Sequence, residues 1–119
     1  MRLAASCAAV LALFVSSPAT AEGFALVTEE REFVSLISGK DLKRFAISLE
    51  VTPDGQINGK GFGRKVTGDW RWDSGYFCRD LYWGETDLGF NCQKVLRRGE
   101  TLRFIENRGE GRYADLKLE

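Results

Sequence analysis

From residue 44 to the C-terminus, turn signals every ten to fifteen residues divide the chain into short alternating runs, a rhythm that points to antiparallel β structure. The cleanest run is "RFAISLEVT": Phe45, Ile47, Leu49 and Val51 share one face, while Ala46, Ser48 and Glu50 share the other. Period two with β-branched residues on the apolar side predicts a half-buried strand. "PDG" follows, where Pro53 presets its dihedral and Gly55 accepts the left-handed position of a three-residue hairpin loop. The same loop grammar is read at residues 73–75 and 97–99.

Folding each hairpin about its loop predicts a register. About Ser74, Trp72 faces Tyr76, Trp70 faces Cys78 and Val66 faces Tyr82. About Glu85, Cys78 faces Cys92, Asp80 faces Phe90 and Tyr82 faces Leu88. About Arg98, Cys92 faces Phe104 and Lys94 faces Leu102; about Gly109, Phe104 faces Ala114 and Leu102 faces Leu116. One parity collects most of the large apolar residues, as a single buried face requires. In the first hairpin Leu49, Ile47 and Phe45 face Gly59, Gly61 and Gly63, a row that lets a sheet coil sharply or lets a backbone or ligand approach closely. The expected fold is mainly β: an antiparallel up-and-down meander of seven strands, residues 44–52 through 112–118, barrel-like or strongly curled. "GFALV" is available as an eighth strand.

Between that run and the sheet, residues 28–38 predict one short helix. Thr28 is placed to cap it, Glu29 and Glu30 suit its positive end, Gly39 ends it, and Phe33, Val34, Leu36 and Ile37 form its apolar side. Before it, Arg2, an apolar run from Leu3 to Val15 and the small-x-small site Ala19-Thr20-Ala21 have the layout of a secretory signal peptide. Cleavage after Ala21 leaves residues 22–119 as one domain, expected to be a periplasmic or secreted monomer. No second apolar stretch approaches membrane-spanning length. The whole chain balances 17 basic against 17 acidic side chains, so loss of Arg2 leaves a net charge of −1. Both signs are interspersed along the sequence, and strong nonspecific binding to nucleic acid or anionic lipid is not indicated.

Cys78 and Cys92 fall opposite each other in the predicted register, and export places them in an oxidising compartment. A structural disulfide is the reading they support. A redox pair would show a Cys-x-x-Cys motif at a helix start, and a zinc site would need more ligands in a chain without histidine. The lack of histidine also removes the usual serine or cysteine nucleophile–base pairs, so no catalytic residue, metal or cofactor is expected. The register puts the Asp80 carboxylate on the buried face, where it is either hydrogen-bonded and structural or perturbed and functional. "GKGFGR" at 59–64 lacks both the dinucleotide fingerprint and a following helix.

On the opposite face of the central hairpin, Phe77, Leu81, Trp83 and Val95 point away from the disulfide, interleaved with Arg79 and Gln93. Such an outward apolar stripe is covered either by the helix or by a partner, with Phe77, Arg79, Leu81 and Trp83 as candidate partner-binding residues. A second reading places a small apolar ligand inside the barrel, near Trp70, Trp72 and Tyr82.

The segment "VTPDGQINGKGFGRKVTGDWRWDSGYFCRDLYWGETDLGFNCQ", with "VTGDWRW…GYFCRDLYWG…NCQ" as its distinctive core, resembles a group of small exported alphaproteobacterial proteins of unknown function. Members often carry the automatic name dihydrodipicolinate reductase. That name implies a cytoplasmic, NAD(P)H-dependent enzyme of lysine biosynthesis with a dinucleotide-binding α/β domain. No catalytic residue of such an enzyme maps onto this chain. The functional expectations are thus an exported binding module for a protein partner, inhibitor-like in architecture; alternatively a carrier of a small apolar ligand; and, from the name, a reductase.

Overall fold

A computed structural model describes residues 23–119; the leader read at residues 1–21 lies outside them. The chain runs β1 (Ala25–Val27), α1 (Glu30–Ile37), β2 (Asp41–Arg44), β3 (Ile47–Val51), β4 (Gln56–Gly61), β5 (Arg64–Asp73), β6 (Tyr76–Trp83), β7 (Thr86–Arg98), β8 (Thr101–Ile105), α2 (Glu106–Gly109) and β9 (Tyr113–Leu118). Each strand from β2 to β9 pairs antiparallel with its chain neighbour, and β9 returns to β2, closing an eight-stranded up-and-down barrel. β1 adds to β7 beyond the end of β6, pairing Val27 with Val95.

The predicted meander is present; its last hairpin keeps the predicted register, and its first and third keep it over part of their length. Leu49 pairs with Gly59 and Ile47 with Gly61. Cys78 pairs with Cys92 and Asp80 with Phe90, and Phe104 pairs with Ala114. The glycine row has a geometric role at Gly59, where a Cβ would sit 2.1 Å from the Ser48 carbonyl oxygen.

Two turns depart from the prediction. The β5–β6 connection has two residues, Ser74 and Gly75, both at positive φ. This is the geometry of a hairpin turn that matches the strand twist. Trp72 therefore pairs with Phe77, Trp70 with Arg79 and Arg71 with Cys78. The β7–β8 turn is also two residues long, so Val95, not Cys92, faces Phe104. A slip of one residue exchanges a strand's faces. On β6, Phe77, Arg79, Leu81 and Trp83 consequently turn inward, while Cys78, Asp80 and Tyr82 turn outward. A bulge after Asp80 shifts Tyr82 onto Asp87 instead of Leu88. The single run predicted at 44–52 is two strands broken at Phe45–Ala46, with Ala46 at φ 59 and Phe45 88% exposed.

α1 is shorter than predicted and lacks the Thr28 side-chain cap. The Thr28 carbonyl instead accepts a hydrogen bond from Trp72 Nε1 at 3.0 Å. Phe33, fully buried, contacts the rings of Trp70, Trp72, Phe77 and Phe104 at centroid distances of 5.1–6.3 Å. Together with buried Ile37 it closes one end of the barrel. Apolar burial and ring-to-ring packing hold this plug in place. α2 is one turn in which Asn107 and Arg108 adopt left-handed dihedrals. Its Asn107 exchanges two hydrogen bonds with the Asn91 side chain, at 2.8 and 3.0 Å, anchoring it on β7 beyond the reach of β8.

Candidate functional site: the barrel interior

Inward parity on seven of the eight barrel strands surrounds a cavity of about 320 Å³. Its apolar wall includes Ile47, Leu49, Ile57, Phe77, Leu81 and Leu116. A second apolar volume of about 310 Å³ shares Ile47, Leu49 and Leu81 with it and extends to Gly61, Phe62, Val66, Trp83 and Leu88. Both lie toward the end opposite α1, where the turns β2–β3, β4–β5 and β6–β7 gather with α2. Ile47, Leu49, Leu81 and Trp83 all point inward yet keep solvent-accessible surface. The interior is open at that end.

Charge enters the cavity at a few defined points. Arg79, 9% exposed, reaches across from β6 and donates from Nη1 to the Gly89 carbonyl at 2.7 Å. Burial pushes its pKa below the ordinary arginine value, against the opposing pull of the Glu106 and Asp80 carboxylates. A guanidinium stays protonated even so. Gln93, also buried, lies beside it on the same wall, and Arg44, Glu106 and Arg112 line the cavity too. β2 and β9 pair through Asp41–Glu119, Leu42–Leu118 and Lys43–Lys117 and no further along β2. Past that seam, Arg44 and Arg112 border the opening.

The predicted partner-binding residues Phe77, Arg79, Leu81 and Trp83 are therefore brought together, but inside the barrel; the surface position expected of them is corrected by the two-residue turn at Ser74–Gly75. Val95, expected outside with them, is fully buried. The predicted cavity residues are dispersed. Trp70 and Trp72 lie under the α1 plug, with Trp70 Nε1 donating to the Thr52 carbonyl at 2.8 Å. Tyr82 is on the outer face and 40% exposed. Asp80, expected to be buried, stands half-exposed on that outer face opposite Asp69 and Phe90. Trp83, at the mouth, donates from Nε1 to the Gly61 carbonyl at 2.7 Å beneath the Arg64 guanidinium. Arg44 and Arg112 carry no sequence signal beyond a charged residue at the end of a flanking strand.

Cys78 and Cys92 form the predicted disulfide, on the outward-facing parity of β6 and β7 with Cys78 buried. Among the described residues no group of three or more Cys, Asp or Glu side chains is arranged to hold a metal ion, and no helix is long and apolar enough to cross a membrane. The antiparallel barrel differs from the α/β dinucleotide-binding architecture that the reductase name implies. Compared with protein-family models, curated proteins and solved structures, the chain matches none.

Proposed function

We propose that the protein is a carrier of a small amphiphile, holding an apolar tail in the barrel and an acidic head near Arg79, Arg44 and Arg112. The observation that carries this reading is the open apolar interior. Its volume falls in the range of ligand pockets, roughly 300–1,000 Å³, and its wall is apolar with a few convergent polar groups. A chain that needed only stability would fill such a space with side chains, because interiors pack to crystal-like density. A buried guanidinium is costly to desolvate and is retained most readily where it meets an anion. The protein-partner reading drew on an outward stripe of Phe77, Arg79, Leu81 and Trp83, and those side chains line the cavity instead.

Titration calorimetry with decanoate, decanol and decane-sulfonate tests the proposal, with Trp83 fluorescence as a second readout. The acids bind more tightly than the alcohol, and Arg79→Met weakens the acids by about 10-fold or more, the worth of one charge-assisted hydrogen bond, while leaving the alcohol nearly unchanged. Absence of heat and of any fluorescence change for all three at millimolar concentration refutes the carrier reading.

A further inference from the structure

The barrel register gathers lysines that are scattered in the sequence. On the outer face Lys117 pairs with Lys43, Lys43 with Ser48, Ser48 with Lys60, and Lys60 with Lys65. Five adjacent strands thus carry four lysines in one row. At about 4.8 Å per strand the row spans roughly 20 Å. All four side chains are exposed, and none is in an ion pair among the described residues. Two of the pairings set like charge directly opposite like charge, which destabilises a sheet. Folding therefore gains nothing from the arrangement.

The row runs beside two aromatic tips. Lys43 stands two residues before Phe45, which is 88% exposed, and Lys60 stands two residues before Phe62, which is 62% exposed. The two turns are tied together by a hydrogen bond from the Phe62 N–H to the Ala46 carbonyl at 2.8 Å. Phe62 holds φ 50, a left-handed conformation that bulky residues rarely adopt. Backbone strain and exposure to water both count against phenylalanine there, and such an outlier points to a use outside the fold. Phe62 and Leu88, 49% exposed, also border the mouth of the apolar cavity.

Acidic side chains border the lysine row and do not interrupt it. Asp41 and Glu50 occupy the next outward positions toward the α1 end, Glu119 adjoins Lys117, and Glu85 and Asp87 sit across the mouth on the β6–β7 hairpin. Asp115 is engaged by Arg103.

We infer that the β2–β5 flank of the open end docks on an anionic lipid bilayer, with Phe45 and Phe62 entering the headgroup–acyl boundary and Lys43, Lys60, Lys65 and Lys117 facing the headgroups. Aromatic tips above a basic row complement the two layers of such a surface, whereas a soluble polyanion offers nothing for the tips to enter. Docking there sets the cavity mouth against the membrane. Apart from Phe62, which also borders the cavity mouth, it stands on residues that line neither apolar volume, so ligand titration in solution and vesicle binding can fail independently.

The test is flotation of the protein, purified after expression with its own N-terminal segment and its mass recorded, with vesicles of phosphatidylcholine alone or containing 30 mol% phosphatidylglycerol. The expected result is binding to the anionic vesicles only, lost in high salt. Each Lys→Gln change weakens it about five-fold and the four together several hundred-fold. Phe45→Ala with Phe62→Ala abolishes it with unchanged circular dichroism and melting temperature. Phe45→Trp gives a blue-shifted emission quenched by brominated lipid. No binding to anionic vesicles at low salt overturns the inference. So does binding that survives the quadruple Lys→Gln change, or equal binding to heparin that is indifferent to both phenylalanines.

Discussion

Phe33 should be the residue on which the closed end of the barrel depends. It is 0% exposed and touches four aromatic rings drawn from β5, β6 and β8. Replacing it by alanine removes the whole ring from a site whose walls are held by the β-ladders and by the hydrogen bonds of Trp70 and Trp72. The gap cannot collapse easily, so the cost belongs in the range of large-to-small core changes, about 3–5 kcal/mol. A domain of this size has a total stability of about 5–15 kcal/mol. At about 4–8 °C per kcal/mol, the melting temperature falls by at least 12 °C or so. Phe33→Leu, which keeps much of the apolar volume, costs about 1–2 kcal/mol. Urea unfolding followed by tryptophan emission measures both variants, and a red shift in the native baseline of Phe33→Ala reports water reaching Trp70 and Trp72. A loss below about 1 kcal/mol, or an unshifted baseline, would show that α1 is not part of the cooperative core and would refute the plug.

Three further outcomes are expected. Removing the disulfide by Cys78→Ser with Cys92→Ser lowers the unfolding free energy by about 3 kcal/mol, the loop-closure entropy for a loop of this length, as read by denaturant midpoint and slope. Gly68→Ala brings a Cβ within 2.2 Å of the Asp80 carbonyl oxygen, so β5 and β6 must shift; the cost is about 1–3 kcal/mol, and wild-type stability in that variant contradicts the close approach. Asp115 is held below the ordinary carboxylate range, first by its hydrogen bonds from Arg103 at 2.8 and 3.0 Å. A depressed folded pKa gives stability that is full above the unfolded value and is lost as pH falls through the folded one. Asp115→Asn should therefore be less stable than wild type at pH 7 and converge with it in strong acid, measured by thermal melts from pH 7 to pH 2.

How far the sequence could be read depended on the distance over which each feature was encoded. β2 is not legible in the sequence because "DLKR" buries only Leu42 and because the break after it falls at Ala46, a residue that does not advertise a left-handed turn. The β5–β6 turn is hidden for the same reason: Ser74 takes φ 52 beside Gly75, where turn chemistry points to glycine alone. One residue of loop length then decided whether Phe77, Arg79, Leu81 and Trp83 formed an outer stripe or an inner wall. The sequence groups these four side chains on one face of β6 but assigns that face to the wrong side of the barrel, and Trp70, Trp72 and Tyr82, which it assigns to the cavity, do not line it.

By itself the sequence determined the β class, the meander order, the helix on Phe33 and Ile37, and the pairing of Cys78 with Cys92. All of these follow from alternation and turn chemistry between neighbouring segments. Only the tertiary structure decided closure of the barrel, the open interior, and the row from Lys117 to Lys65. Those depend on how strands distant in the chain are set side by side. Charges that alternate harmlessly along the sequence align across the sheet, because hydrogen-bonded register, not sequence proximity, sets which side chains are neighbours.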